Sequence, residues 1–294
     1  MSLFADISEA IADATEATSQ RLVALHMRHG RHLTATVWRD DLIVASEQIL
    51  PGRDRFPARL GDGSATEAVL VGRDDGTNIA VLRLAKSTGL GEPEAGVARL
   101  GAFALALGAQ HDGSATAALG IVGRTGPAWT SSHGGRIDQY LRLDIGLSQA
   151  EEGGPVLDAS GRLIGVSVFG PRGEVLVIPH ATLSRVVPQI EANGRVARGW
   201  LGAGLQPVAA PGSQGERPGR GLLVVSVADD GPAAIAGLVP GDIITAIAGE
   251  PVGRMTGLIR RLGPDSIGTP VALTLLRGGE TIARTLTVTE RPDV

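Results

Sequence analysis

Ala150-Glu151-Glu152-Gly153-Gly154-Pro155-Val156-Leu157 and, a few residues on, Gly161-Arg162-Leu163-Ile164-Gly165-Val166 set the reading of the chain. A glycine-rich turn feeds a short apolar strand over 155–157, and a second turn feeds another over 163–168. The same pattern runs outward in both directions. Upstream, strands are expected at Leu33–Trp38 and Leu42–Ser46 about the turn Arg39-Asp40-Asp41, then at Ala68–Val71. Ile79–Leu84 follows Asp74-Asp75-Gly76 as a buried apolar run, and Phe103–Leu107, Ala118–Val122 and Gln139–Leu143 continue the series. Downstream, Val175–Ile178 closes it. Short strands separated by glycine-rich turns predict an all-β double barrel or sandwich.

The remaining sequence sets bounds on class. With 294 residues the chain is long enough for about two domains. Aromatics are only 3% of it, so a core must be built from Leu, Val, Ile and Ala. A net charge of -4 without any Lys/Arg cluster argues against nucleic acid as a partner. Cysteine is absent, which excludes disulfides, thiolate catalysis and Cys-ligated zinc. No metal or cofactor is expected, and no stretch approaches a membrane span.

At the N-terminus, residues 1–22 are read as an amphipathic helix: Leu3, Ile7, Ile11 and Ala14 recur at helical spacing, with Asp6, Glu9, Asp13 and Glu16 beside them. The helix either docks on its own domain or serves as an oligomerisation arm. It lacks the basic start and apolar run of a secretory signal, so a cytoplasmic protein is expected.

Helical spacing returns over Ala181–Ala192, where Pro188 should limit or kink the helix and Asn193-Gly194 should stop it. These boundaries give a first domain over 23–192, a linker over 193–198 and a second domain over 199–294. The second reads as a small α+β unit. It has a strand at Gly221–Val227, a proline-started helix at Pro232–Ala236 and a strand at Asp242–Ala248. A helix at Met255–Leu262 follows, then a hairpin, Val271–Leu276 with Ile282–Val288, about Gly278-Gly279. The stretch 212–220, rich in Gly, Pro, Ser and charge, reads as a surface loop.

Gly221-Leu222-Leu223-Val224-Val225-Ser226-Val227, Gly231-Pro232-Ala233-Ala234, Ala236-Gly237-Leu238 and Pro240-Gly241-Asp242-Ile243-Ile244 resemble a bacterial PDZ domain of the HtrA type. The opening stretch resembles the same family's trypsin-like protease domain around its serine. Together the two resemblances cover nearly the whole chain in the family's order. They imply a mainly β protein: a trypsin-like double β-barrel followed by a small α+β PDZ domain.

The resemblance also locates three catalytic positions. Ile43-Val44-Ala45-Ser46-Glu47-Gln48-Ile49 fills the string around the family's histidine, with Gln48 in its place. Thr77-Asn78-Ile79-Ala80-Val81-Leu82 fills the string around the aspartate, with Asn78 in its place, and Glu152 stands where the serine belongs. Gln48 has no nitrogen that accepts a proton near neutral pH, and Asn78 has no charge to orient and stabilise an imidazolium. Glu152 is a weak nucleophile and would put negative charge where an oxyanion must form. Ala150 replaces the glycine usual two residues before the serine, which bears on the oxyanion-hole turn Ala150, Glu151 and Glu152.

A catalytically inactive pseudoprotease is therefore the main expectation, acting as adaptor, scaffold or regulator. A serine-type endopeptidase using displaced residues is the alternative, with Ser148, Ser131 or Ser132 as nucleophile and His133 or His180 as base. A carboxylate site from Glu47, Glu151 and Glu152 is a further reading. One sharper expectation is that Glu152 accepts the backbone N–H donors of the oxyanion turn and plugs the cleft.

The PDZ resemblance implies a partner: a peptide, or the C-terminus of a protein, added as a strand to a sheet edge. Trp200, Leu201, Gly202 and Ala203 resemble the loop that takes the terminal carboxylate, followed by an edge strand through Leu205. Leu258 and Leu262 line the groove or pack as core, with Met255 and Ile259 on the adjoining face. The family resemblance further implies a homo-oligomer, a trimer built through the protease domain.

Overall fold

The computed structural model describes residues 3–210 and 219–292. Two compact units are formed, Met1–Ser131 with Arg136–Val196, and Ala197–Val294 with Ser132–Gly135.

The first unit opens with helix α1 (Leu3–Ser19), whose Ile11 and Ala14 pack on the core while Leu3 and Phe4 stay exposed. Six strands then close a barrel: β1 (Leu22–His26), β2 (His32–Arg39), β3 (Leu42–Ser46), β4 (Arg55–Leu60), β5 (Ala65–Asp74) and β6 (Ile79–Leu84), in the order β1-β2-β3-β6-β5-β4. A second barrel is built from β7 (Phe103–Ala109) and β8 (Ala115–Gly126), then, after the short ladder of β9 (Trp129–Thr130) with β10 (Arg136–Ile137), from four more strands. These are β11 (Tyr140–Asp144), β12 (Pro155–Leu157), β13 (Leu163–Phe169) and β14 (Val175–Pro179), in the order β11-β14-β13-β12-β7-β8. The choice left open between sandwich and barrels thus falls to two closed barrels, which leave no free sheet edge.

Burial explains why several strands read as unbroken apolar runs. In β1, Val23 and Leu25 fill the first barrel, while Leu22 and Ala24 join a layer shared with Leu107, Leu157 and Val166 of the second. A strand buried on both faces shows no polar alternation. Helix α2 (His180–Asn193) adds Leu183, Val186, Val187 and Ile190 to the shared layer, none more than 1% exposed. The helix continues through Pro188 and ends at Gly194, a left-handed cap with φ +72° whose amide returns to Ile190 O at 2.7 Å. In the first barrel two strands lacked a recognisable signal. β1 follows α1 after only Gln20 and Arg21, and β4 contains Pro57, which normally demotes a strand. Pro57 is tolerated because the residues of β4 paired with β1 begin at Ala58.

In the second unit a sheet runs β16 (Ala203–Ala210), β17 (Gly219–Val227), β18 (Ile243–Ile247), β20 (Pro270–Arg277), β21 (Glu280–Thr287). The short β19 (Glu250–Pro251) pairs with β18, and β15 (Gly199–Trp200) pairs separately with β22 (Thr289–Glu290). Residues 219 and 220 belong to β17, and the rest of the loop expected over 212–220 lies outside the described residues. Helices α3 (Pro232–Ile235) and α4 (Met255–Ile259) complete the unit around Leu222, Val224, Ile244, Leu273 and Leu275. Helix α4 is shorter than the expected Met255–Leu262: Leu262 lies beyond its end, in a turn. Gly278 and Gly279, both at positive φ, make the two-residue hairpin turn between β20 and β21. The Pro240-Gly241-Asp242 string has a structural role. Asp242 is fully buried and accepts from Arg277 Nε at 2.7 Å, Arg277 Nη2 at 2.8 Å and Val239 N at 3.0 Å.

Candidate functional site

β3 ends at Ser46, and the chain turns at once into a 3-10 helix, Glu47–Ile49, that presents Gln48. On the neighbouring β6, Asn78 enters from a tight turn that Asp74 holds by accepting from Thr77 N at 3.0 Å and Thr77 Oγ1 at 2.6 Å. Asn78 takes φ +58°, a left-handed value that asparagine tolerates better than most residues. Its Oδ1 accepts from Gln48 N at 2.8 Å and lies 3.2 Å from Ser46 Oγ.

From the second barrel, the turn Gln149–Glu151 brings Glu152, a residue only 2% exposed, to the same point. Glu152 Oε1 accepts from Gln48 Nε2 at 2.6 Å and from Ser46 Oγ at 2.7 Å. Gln48 Nε2 donates also to Phe169 O at 3.0 Å. Gln48, Asn78 and Glu152, which lie far apart in sequence, therefore meet in one hydrogen-bonded cluster with Ser46 at its centre. Among the described residues the carboxylate has neutral donors and no ion-pair partner within 4.0 Å.

The expectation that Glu152 plugs an oxyanion hole is overturned. Its carboxylate turns inward to Ser46 and Gln48. The amides it was to engage are already committed, Glu151 N to Ser148 O at 3.1 Å and Glu152 N to Gln149 O at 3.4 Å. The 3-10 turn draws those donors onto its own carbonyls, as such turns do.

Two threonines on β2 hold this turn from across the barrels. Thr34 Oγ1 donates to Ala150 O at 2.7 Å and accepts from Ala109 N at 2.9 Å, and Thr36 Oγ1 donates to Gly153 O at 2.9 Å. Residues two apart in a strand share a face, so both hydroxyls reach the turn. Gly153 itself takes φ +90°, and a Cβ there would lie 2.3 Å from Thr34 O. Ser46, Thr34 and Thr36 escaped the sequence reading. The Thr-Ala-Thr alternation inside an apolar strand was the available signal.

The three acids do not form a joint carboxylate site. Glu47 pairs with Arg73 at 3.5 Å. Glu151 accepts from Thr116 Oγ1 at 2.8 Å and from Ser148 N at 2.6 Å, away from Glu152. No grouping able to hold a metal occurs among the described residues. Of the displaced candidates, Ser131 Oγ donates to Gly76 O at 2.6 Å, while His180 bonds Ser184 Oγ at 3.2 Å and Pro93 O at 3.0 Å. Ser132 and His133 fall in the other unit. Ser46 beside Glu152 is a hydroxyl next to a carboxylate, but it is fully buried.

In the second unit, β16 is an edge strand, paired only with β17, and α4 packs beside it. Ahead of it, Trp200 pairs with Thr289. Leu201 is buried with its carbonyl accepting from Ala233 N at 2.8 Å, and Gly202, at φ +75°, accepts from Ala228 N at 2.8 Å. Ala203 and Leu205 are half-buried at the start of the edge strand. Leu258 is 3% exposed and belongs to the core, which resolves its double reading against an open groove wall. Leu262 and Met255 also pack on that core while remaining half-buried.

A double barrel carrying such a cluster between its two halves, followed by a sheet with an open edge beside a helix, defines a trypsin-like peptidase fold joined to a PDZ domain. Family models agree, matching a trypsin-like peptidase domain at residues 33–166 and a PDZ domain at 199–288. A "probable periplasmic serine endoprotease DegP-like" of Brucella suis is 31% identical over 266 residues, covering 86% of this chain and 51% of the relative. One of the same description from Halomonas elongata is 31% identical over 272 residues, covering 86% and 55%. The chain thus spans about half the length of the curated relatives it matches. Among solved structures, the HtrA-type protease AlgW with tripeptide is 25% identical with TM-score 0.69, covering 97% of this chain and 98% of that one. A serine endoprotease from Yersinia pestis shares the fold at TM-score 0.71 and 24% identity, covering 96% and 98%. In fold and domain order the chain belongs to the HtrA family.

The expected cytoplasmic location is overturned by the same relatives, which are named as periplasmic. An N-terminus without a signal-like run was too weak a basis for it. Among the described residues no helix is long and apolar enough to cross a membrane.

Proposed function

We propose that this chain is a catalytically inactive HtrA-type pseudoprotease that binds peptides or partner proteins through its PDZ domain and acts as an adaptor, scaffold or regulator. The observation that carries the reading is the 2.6 Å hydrogen bond from Gln48 Nε2 to Glu152 Oε1. If Gln48, Asn78 and Glu152 occupy the base, carboxylate and nucleophile positions, an amide and a carboxylate face each other where an imidazole and a hydroxyl are required. The amide accepts no proton, Asn78 supplies no charge, and the Glu151 and Glu152 amides are spent on the turn. Peptide binding is supported by the edge strand β16 beside α4 and by the AlgW structure described as holding a tripeptide.

A second reading, a serine-type endopeptidase working with displaced residues, is favoured by the relatives' names as serine endoproteases. Casein turnover and labelling by a serine-directed fluorophosphonate separate the two. The pseudoprotease predicts neither; cleavage or covalent labelling that survives removal of contaminating proteases selects the endopeptidase.

A further inference from the structure

Between β1 and β2 the chain makes a tight 3-10 turn, Arg28–Gly30, with His29 in the left-handed region at φ +60° and ψ 33°. Met27 N closes it on Arg31 O at 2.8 Å. Facing this turn is the segment that leaves the Gln48 turn, Ile49 through Arg53. An open cavity of about 380 Å³ lies between them. Its polar wall is entirely basic or imidazole, with Arg28, His29, Arg31 and Arg53, and no acidic side chain lines it. Met27, Leu33 and Ile49 provide apolar surface within the same cavity.

Arg53 is fixed in place. Its guanidinium sits 4.6 Å from the centre of the Phe56 ring, and Nη2 donates to His26 O at 2.7 Å. Arg53 Nε, by contrast, is buried with no hydrogen-bond partner among the described residues. Buried donors are rarely left unsatisfied, because each costs its full desolvation. Glu47, the acid nearest in sequence to Ile49, is committed to Arg73. The cavity therefore gathers positive charge that the described residues do not neutralise. A guanidinium held by stacking is suited to oxyanion recognition.

We infer that this pocket binds a carboxylate carried on an apolar stem, an acidic side chain of a bound polypeptide. The cationic groups take the head, and Leu33 with its apolar neighbours takes the stem. A bare phosphate would leave that apolar surface uncovered. Ile49, on the wall of this pocket, belongs to the same turn as Gln48. The site stands whether or not the chain cleaves peptides, and it does not use the PDZ groove.

The test is fluorescence titration of the full chain with a labelled, C-terminally amidated peptide rich in glutamate, against its glutamine counterpart. Amidation leaves no terminal carboxylate for the PDZ domain. Roughly tenfold tighter binding of the glutamate peptide is expected, weakening as salt rises. Arg28→Ala combined with Arg31→Ala, both at exposed positions, should erase that preference while the melting temperature holds. Equal affinity for the two peptides, or an undiminished preference in the double variant, overturns the inference. Glutarate and inorganic phosphate serve as competitors: displacement at lower concentration is expected of glutarate, and the reverse order overturns the assignment to carboxylate.

Discussion

Glu152 Oε1 accepts from both the Gln48 side-chain amide and the Ser46 hydroxyl, and Asn78 Oδ1 accepts from the backbone N–H of Gln48. A cluster so closed is internally consistent as structure. On the proposed reading, Glu152→Ser is expected to give no measurable casein hydrolysis, since base and carboxylate would still be missing. Turnover by that single variant would contradict the assignment of Gln48 or Asn78. Next to it, Gly153→Ala should cost about 2–4 kcal/mol in denaturant unfolding, because it combines a disallowed φ with a backbone clash against Thr34 O. At this scale the sequence was legible where flanking strings were distinctive: the meeting of residues 48, 78 and 152 could be anticipated from them. The direction in which Glu152 points could not. It depends on Ser46, a hydroxyl hidden in an apolar strand, and on amide donors whose use is decided by the local turn.

Strand β1 ends at His26, whose ring stacks on His111, from the turn between β7 and β8, at 4.1 Å between ring centres and 18° between planes. His32, at the start of β2, meets His111 edge-on at 6.0 Å. Burial holds the His26 imidazole below its ordinary pKa; nearby His111, Arg59 and His32 push the same way, while the hydrogen bond to the His111 carbonyl opposes them. Lowered in the folded state, this imidazole binds fewer protons there than in the unfolded chain. Its contribution to stability is therefore complete above the ordinary value of 6.5 and is lost progressively as pH falls below it. The melting temperature of the first unit should drop over that range, and His26→Gln should flatten the drop. An unchanged profile in the variant would remove His26 as the cause. The elements themselves were mostly legible, because turn residues separate them. β1 and β4 were not, for want of a turn signal in one and because of Pro57 in the other. Helix α4 was overextended because apolar spacing continues to Leu262 after the backbone has left the helix.

Over the whole chain, domain order was readable since each unit carries its own long motif. Location was not, because a signal can be judged only on the residues present. In the peptidase unit, side chains of β2 grip the Ala150 and Gly153 carbonyls, and α2 seals a layer to which both barrels contribute. A turn whose catalytic role is lost in the proposed reading thereby remains under mechanical demand. Melting one barrel would strip the other of its buried hydroxyl anchors and half of a shared apolar layer. The pair should therefore unfold as a single cooperative block with no half-folded species accumulating. Retention of the glycine turn then needs no enzymatic explanation: it is the latch that makes two barrels one thermodynamic object.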